Sequence, residues 1–198
     1  MILLDNEPIS VPKFISAQKL LEDKFILEFS NNDKNIKKTR KRTIELTIGD
    51  IACSVKPHSD FVCDTIVRGI LPKRHNGLES PTVFVLVTDN KFDFYNITEI
   101  ADKKYKILVI ALKHIIVRRI FTIHQLVYFL ILDLENDLEK YKSKLVVITS
   151  DFFLSDRQIS KEDKDWLYSQ MIKAIKKVRD SIILVFSPTK LLEFVNYG

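Results

Sequence analysis

Short, nearly continuous hydrophobic runs alternate along the chain with longer segments in which apolar residues recur every three to four positions. The short runs are rich in β-branched residues and comprise Thr82–Val87, Ile115–Phe121, Leu145–Thr149 and Ile182–Phe186. Runs of this length without polar alternation are typical of strands that are buried on both faces of a parallel sheet. They predict four strands of such a sheet.

The longer segments have the spacing of amphipathic helices and cover His58–Leu71, Thr122–Lys142 and Ser160–Arg179. Ser160 is a predicted N-cap, since acidic residues follow it in the first turn. Residues at core spacing in this last helix are Trp166, Ile172, Ile175 and Val178. Strands that alternate with helices predict an α/β fold, in which a mostly parallel central sheet is flanked by helices.

No internal repeat and no Gly/Ser-rich linker divides the chain, so the sequence predicts a single domain. Residues 1–42 are interpreted as an N-terminal arm and basic linker, of which residues 1–30 include a short helix. Residues 43–198 are interpreted as the core domain. No hydrophobic run reaches the roughly 20 residues that span a bilayer, and the start lacks a signal-peptide pattern, so we expect a cytoplasmic protein without membrane contacts.

The charge is concentrated in one place. The net charge is +5, but the segment Lys34–Arg42 contains six basic residues and no acid. The rest of the chain contains 25 basic and 26 acidic residues, which is a net charge of −1. Such a patch predicts phosphate contacts with nucleic acid, or else a solvated loop between two elements. The six basic residues are Lys34, Lys37, Lys38, Arg40, Lys41 and Arg42.

The cysteines and histidines do not predict a metal site. Cys53 and Cys63 have no nearby histidine pair, and we interpret both as ordinary apolar residues. The four histidines are scattered along the chain and are interpreted as surface or packed residues.

Several segments in a fixed order resemble the ATPase core of the RecA/RadA recombinases, in particular the archaeal RadA type and its paralogs. These segments are TIELTIGDIACSVK at Thr43–Lys56, the passage Ile70–Phe92, IIVRRIFTIHQL at Ile115–Leu126, LVVITS at Leu145–Ser150 and IILVFSPTK at Ile182–Lys190. The likeness extends from about Ile44 to Lys190, about three quarters of the chain, although no single motif is intact. The resemblance implies a RecA-like core that ends before the strands that normally complete it.

The sequence lacks the residues with which that family binds the phosphates of a nucleotide. A phosphate loop has the form G-x-x-x-x-G-K-[ST], in which glycines let backbone N–H groups cradle the phosphates. The four glycines, Gly49, Gly69, Gly77 and Gly198, include no pair five positions apart. In the matching run from Gly49, Lys56 is displaced by one position and Pro57 replaces the hydroxyl residue.

The other positions that the resemblance assigns to ATP hydrolysis are also altered. Thr149 stands where the family has the acid that holds a divalent cation, and it has no charge to offer. Asp89 stands in the place of the water-activating glutamate. We therefore expect no ATPase activity, no cofactor and no metal, with Gly49, Lys56, Asp89 and Thr149 forming a degenerate nucleotide site. A metal-dependent nuclease that uses Asp89 and Asp151 is a third and weaker alternative.

The DNA-binding loops implied by the resemblance are short in this chain. The first corresponds to Phe152–Ile159, which has one basic residue, Arg157. The second follows Ser187, only a few residues before Gly198. DNA binding of the recombinase type through these loops is therefore not expected.

The segment Phe14–Ala17 fits the F-x-x-A pattern by which recombinases of the family dock onto a neighbouring core. The same residues are also interpreted as the segment that leads into the core. The resemblance implies a non-catalytic RadA paralog, an accessory subunit in homologous recombination and DNA repair. It would bind a RadA-type recombinase or another paralog through Phe14 and Ala17. The alternative is an accessory module that binds nucleic acid through the Lys34–Arg42 patch.

Overall fold

The computed structural model describes residues 2–3, 24–31, 40–55, 58–88, 92–149 and 159–187. In chain order, the strands are β1 Ile2–Leu3, β2 Phe25–Asn31, β3 Arg40–Leu46, β4 Ile51–Val55, β5 Val83–Val87, β6 Ile115–Arg119, β7 Leu145–Thr149 and β8 Ile182–Ser187. The α-helices are α1 Ser59–Ile70, α2 Phe94–Glu99, α3 Leu108–His114, α4 Ile123–Leu132, α5 Leu134–Tyr141 and α6 Lys161–Lys177. A short 3₁₀ helix covers Lys73–His75, and a π-helical turn covers Ile100–Lys104.

The main sheet is parallel throughout, with the strand order β1-β4-β8-β7-β5-β6. Helices cover both of its faces, so the predicted α/β fold with a parallel sheet is confirmed. The chain moves outward along the sheet from β4 through β5 to β6, and then returns through β7 to β8. Because crossovers between parallel strands are right-handed, this reversal places α1 to α3 on one face and α4 to α6 on the other.

Each face has its own hydrophobic core. On one face, Ile66 and Val67 of α1 pack with Val85 and Val147 of the sheet. On the other face, α4 and α6 cover Phe84, Leu86 and Ile148. The strands β5 and β7 are buried along their whole length, as the continuous hydrophobic runs predict.

Two predictions about the helices are wrong in detail. The segment predicted as one helix over Thr122–Lys142 forms α4 and α5, with Asp133 between them. Ser160 is the N-cap of α6, as predicted, and its Oγ accepts a hydrogen bond from the N–H of Asp163 at 3.1 Å. Trp166, however, is 60% exposed, because the buried stripe of α6 runs through Leu167, Met171 and Ile175.

The predicted boundary between residues 42 and 43 falls inside β3. This strand pairs antiparallel with β2 along seven residues, from Phe25 opposite Leu46 to Asn31 opposite Arg40. Phe25, Leu27 and Leu46 are buried in the core that contains α1. The start of β2 and the end of β3 therefore belong to the core domain, because their apolar residues pack in its hydrophobic core.

Candidate functional site

The carboxyl ends of β5 and β7 lie side by side where the connections diverge to opposite faces of the sheet. In open α/β sheets this is the usual position of a ligand-binding crevice. The backbone N–H of Thr88 and its Oγ1 both donate to the carbonyl oxygen of Thr149, at 3.1 and 2.7 Å. These two contacts tie the strand ends together.

Thr149 is the residue predicted at the metal-binding position. Its side chain is buried, and its Oγ1 has no hydrogen-bond partner among the residues that the structure describes. A hydroxyl contributes no charge with which to bind a divalent cation. Within the described ranges, no group of three or more His, Cys, Asp or Glu residues is placed to hold a metal ion.

Gly49 does not belong to the same site as Thr149. It lies in the turn before β4, has φ +91°, and donates its N–H to the carbonyl oxygen of Ser181 at 3.2 Å. Ser181 directly precedes β8, so Gly49 lies at the amino edge of the sheet, whereas Thr149 ends β7 at the carboxyl edge. Five strand residues separate these edges by about 16 Å.

The grouping of Gly49 with Thr149 in one degenerate nucleotide site is therefore corrected. The segment Thr43–Lys56 contains the end of β3, a turn and the buried strand β4. In the turn, the carboxylate of Asp50 accepts hydrogen bonds from the N–H and Oγ1 of Thr47, at 2.7 and 2.9 Å. Lys56, Asp89 and Asp151 lie outside the described residues.

The predicted docking and basic residues are only partly described. Phe14, Ala17, Lys34, Lys37 and Lys38 lie outside the described residues. The backbone of Arg40, Lys41 and Arg42 forms the start of β3. The structure thus places half of the basic patch on a hairpin strand rather than in a linker.

Burial keeps the two cysteines in their neutral form. It raises the pKa of Cys53 to about 11, and it raises the pKa of the Cys63 thiol to the same range. Asp64, next to Cys63, accepts hydrogen bonds from Lys104 Nζ at 2.6 Å and from the Tyr105 hydroxyl at 2.9 Å. Neither thiol is an activated nucleophile, because nucleophilic attack requires the thiolate.

The segment Ile115–Phe121 was predicted to be a strand buried on both faces, but it forms the outer strand β6, in which three of the five residues are exposed. It pairs with β5, and no other described strand pairs with it, so its other side is an open edge of the described sheet. Val117 is 38% exposed, and Arg118 and Arg119 are also exposed. An open edge presents backbone N–H and C=O groups that have no strand partner.

Arg118 is held away from this edge by the helices behind it. Its guanidinium group lies 4.2 Å from the centroid of the Phe129 ring, on α4. It also lies 3.6 Å from a carboxylate oxygen of Asp133 and 3.5 Å from one of Asp137. Stacking and ion pairing together fix the side chain against α4 and α5.

Exposed apolar side chains are frequent in β6 and in the helices that directly precede and follow it. The helix α3 runs directly into β6 and buries only Ala111, while Val109, on its outer side, is 66% exposed. Phe121, two residues after β6, is 64% exposed. We define the β6 edge surface as the open strand with the exposed apolar residues of the segment from α3 to α4: Val109, Ile110, Leu112, Val117, Phe121, Tyr128, Ile131 and Leu132.

Sequence reasoning missed this surface, although the chain contains a signal for it. The hydrophobic positions of α3 are nearly consecutive, so a seven-residue helix cannot bury them all on one side. The run predicted as a central strand also contains two adjacent arginines, which favour an edge position.

Comparison with known proteins assigns this chain to no family. Neither a protein-family model nor a curated protein sequence matches it. The resemblance to the RecA/RadA recombinases therefore depends on the sequence segments quoted above. Among the described residues, no helix is long and apolar enough to cross a membrane.

Proposed function

We propose that this protein is a non-catalytic, RecA-like accessory subunit in homologous recombination and DNA repair. It acts by binding another protein, a RadA-type recombinase or a further paralog. The observation that supports this role most directly is the β6 edge surface, an open strand with exposed apolar side chains in the strand and in the helices next to it along the chain.

The physical basis is strand addition. Proteins usually protect edge strands with charges, bulges or covering loops, because unpaired backbone groups invite another strand. Arg118 gives little protection, since its side chain is fixed against Phe129, Asp133 and Asp137. An extended segment of a partner would form backbone hydrogen bonds with β6, and its side chains would cover Val117 and Phe121.

The residues Phe14 and Ala17 supply the second part of the proposal. By its resemblance to the F-x-x-A pattern, this segment docks an aromatic anchor and a small residue onto the core of the partner. The chain would then contact recombination proteins both through its own edge strand and through its N-terminal segment.

The altered nucleotide positions support a role without catalysis. Thr149 offers an uncharged hydroxyl where a metal-binding acid would be needed, and the sequence has no phosphate-loop motif. Isothermal titration calorimetry with ATP and magnesium tests this part of the proposal. Micromolar affinity would contradict it.

Affinity capture from native cell extract tests the proposed partner binding. The tagged protein is expected to recover a recombinase or paralog that persists after nuclease treatment and is lost with Val117→Lys. Trp166→Lys is the matched control, because it makes the same change at an exposed apolar residue on α6, away from the β6 edge surface. Phe14→Ala tests the N-terminal segment separately. Capture that Val117→Lys and Phe14→Ala leave unchanged would refute docking through these sites.

The alternative function, nucleic-acid binding through the basic patch, is favoured by one observation. The guanidinium group of Arg68, on α1, lies 5.3 Å from the centroid of the Phe25 ring and donates a hydrogen bond to the carbonyl oxygen of Ile26. These contacts attach one end of the β2–β3 hairpin to α1. The basic patch reaches the opposite end of the paired strands, where Arg40, Lys41 and Arg42 form the start of β3.

Charge neutralisation distinguishes the alternative from the leading proposal. Replacing the six basic residues of Lys34–Arg42 with glutamine should abolish DNA affinity and its salt dependence if the alternative is correct. Under the leading proposal, capture of the protein partner is unchanged by the same substitutions.

A further inference from the structure

The β6 edge surface lies within a stretch that has no acidic residue. Between Asp102 and Asp133 the chain contains six basic residues and neither aspartate nor glutamate. Three of the six are paired with acids outside the stretch: Lys103 with Glu99, Lys104 with Asp64, and Arg118 with Asp133 and Asp137.

The remaining three cations, Lys106, Lys113 and Arg119, have no ion pair with any acid that the structure describes, and all three are exposed. Two of them bracket the open strand. Lys113 precedes β6 by two residues, and Arg119 is the last residue of the strand. Val117 lies between them and shares the face of Arg119, because side chains alternate along a strand.

We infer that the strand that pairs with β6 comes from an acidic segment of a partner protein, with an apolar residue beside Val117 and carboxylates beside Arg119 and Lys113. This inference rests on the proposed function and adds the chemistry of the partner. Cross-strand neighbours of opposite charge stabilise a pair of strands, whereas like charges destabilise it. A basic segment would place cations next to Arg119 and Lys113, neither of which is ion-paired with an acid among the described residues.

A peptide fits this surface better than another polyanion. Nucleic acid or an anionic lipid headgroup would satisfy the two cations, but neither offers the repeating N–H and C=O groups that an open strand pairs with. The exposed aliphatic side chains of α3 and β6 also favour a segment that carries apolar residues together with its acids.

Selection from a library of random 12-residue peptides displayed on phage tests the inference. The selection is run on the full-length wild type, on Val117→Lys, and on the double variant Lys113→Glu/Arg119→Glu. We expect the wild type to enrich sequences that combine carboxylates with alternating apolar residues. The double variant should enrich basic sequences instead, and Val117→Lys should enrich none of them.

Fluorescence anisotropy with a synthetic peptide from the wild-type selection measures how much each variant changes the affinity for the peptide. The double variant should weaken binding by about tenfold or more, as expected when one cross-strand charge pair at Arg119 and a second charge pair at Lys113 are both reversed. Lys173→Glu/Lys176→Glu on α6 is the matched control and should leave the affinity unchanged. Methylation of alternate backbone nitrogens of the peptide should abolish binding, since strand addition requires those N–H groups. Circular dichroism confirms that each variant is folded.

The outcomes separate the inference from the proposed function. Enrichment of basic or uncharged peptides by the wild type overturns the inference and leaves docking at the edge intact. Failure to enrich any peptide over Val117→Lys overturns both. Light scattering that shows a dimer lost in Val117→Lys assigns the edge to a second copy of this chain and overturns the inference. Displacement of the acidic peptide by DNA or by anionic vesicles, dependent on Lys113 and Arg119, also overturns it.

Discussion

Thr88 and Thr149 offer a test in which the same substitution at neighbouring positions has opposite expected effects. The Oγ1 of Thr149 is buried and has no partner among the described residues, whereas the Oγ1 of Thr88 donates to the carbonyl oxygen of Thr149 at 2.7 Å. Valine has the same shape as threonine but replaces the hydroxyl with a methyl group.

An unpaired buried hydroxyl costs about 1–3 kcal/mol of desolvation, so Thr149→Val should stabilise the protein by about 1–2 kcal/mol. Thr88→Val removes a hydrogen bond with a net contribution of about 1 kcal/mol. The Thr149 carbonyl keeps the N–H of Thr88 at 3.1 Å, so loss of this one hydrogen bond should destabilise the protein by about that value. In a chain of 198 residues, 1 kcal/mol corresponds to about 2–4 °C in Tm.

Urea unfolding followed by circular dichroism at 222 nm measures both free energies. The expected result is a higher unfolding midpoint for Thr149→Val and a lower one for Thr88→Val, with equal slopes. Destabilisation of more than about 1 kcal/mol by Thr149→Val would refute the reasoning, because it would mean that this hydroxyl has a hydrogen-bond partner in solution.

Three further predictions concern packing and pH. Gly77→Ala should destabilise by more than about 2 kcal/mol in urea unfolding, since its Cβ would lie 2.0 Å from the backbone oxygen of Leu71. Leu167→Ala should cost about 2–4 kcal/mol in the same assay, while Trp166→Ala stays within about 0.5 kcal/mol, because only Leu167 is buried. Burial raises the pKa of both cysteine thiols from 9.0 to about 11, so the folded state holds protons that the unfolded state releases first. The free energy of unfolding should therefore fall as pH rises from 9 to 11, and alanine at both positions should flatten that slope; an unchanged slope would contradict this account.

The fold class was predictable because burial leaves a direct pattern in the chain. The runs that became β5, β7 and β8 are continuous and apolar, as strands covered on both faces must be. Ser160 was recognisable as an N-cap because capping depends on local hydrogen bonds within one turn. The break at Asp133 was not predicted, since apolar spacing continues through it.

The candidate sites were less predictable, because they depend on which strands become neighbours. Gly49 was assigned to a degenerate nucleotide site from its position in the sequence, but the structure places it at the amino edge of the sheet. Thr149 was recognised as a residue at a strand end, but only the pairing of β7 with β5 brought it to Thr88.

The sequence by itself determined the alternation of strands and helices, the concentration of charge in Lys34–Arg42 and the lack of a phosphate-loop motif. These are properties of local segments or of residue identity. Only the tertiary structure decided that β6 is the outer strand, because strand order follows from the crossovers rather than from any one segment. The same run of residues would be buried in the middle of a sheet, whereas at its edge it exposes Val117 and open backbone groups to a partner.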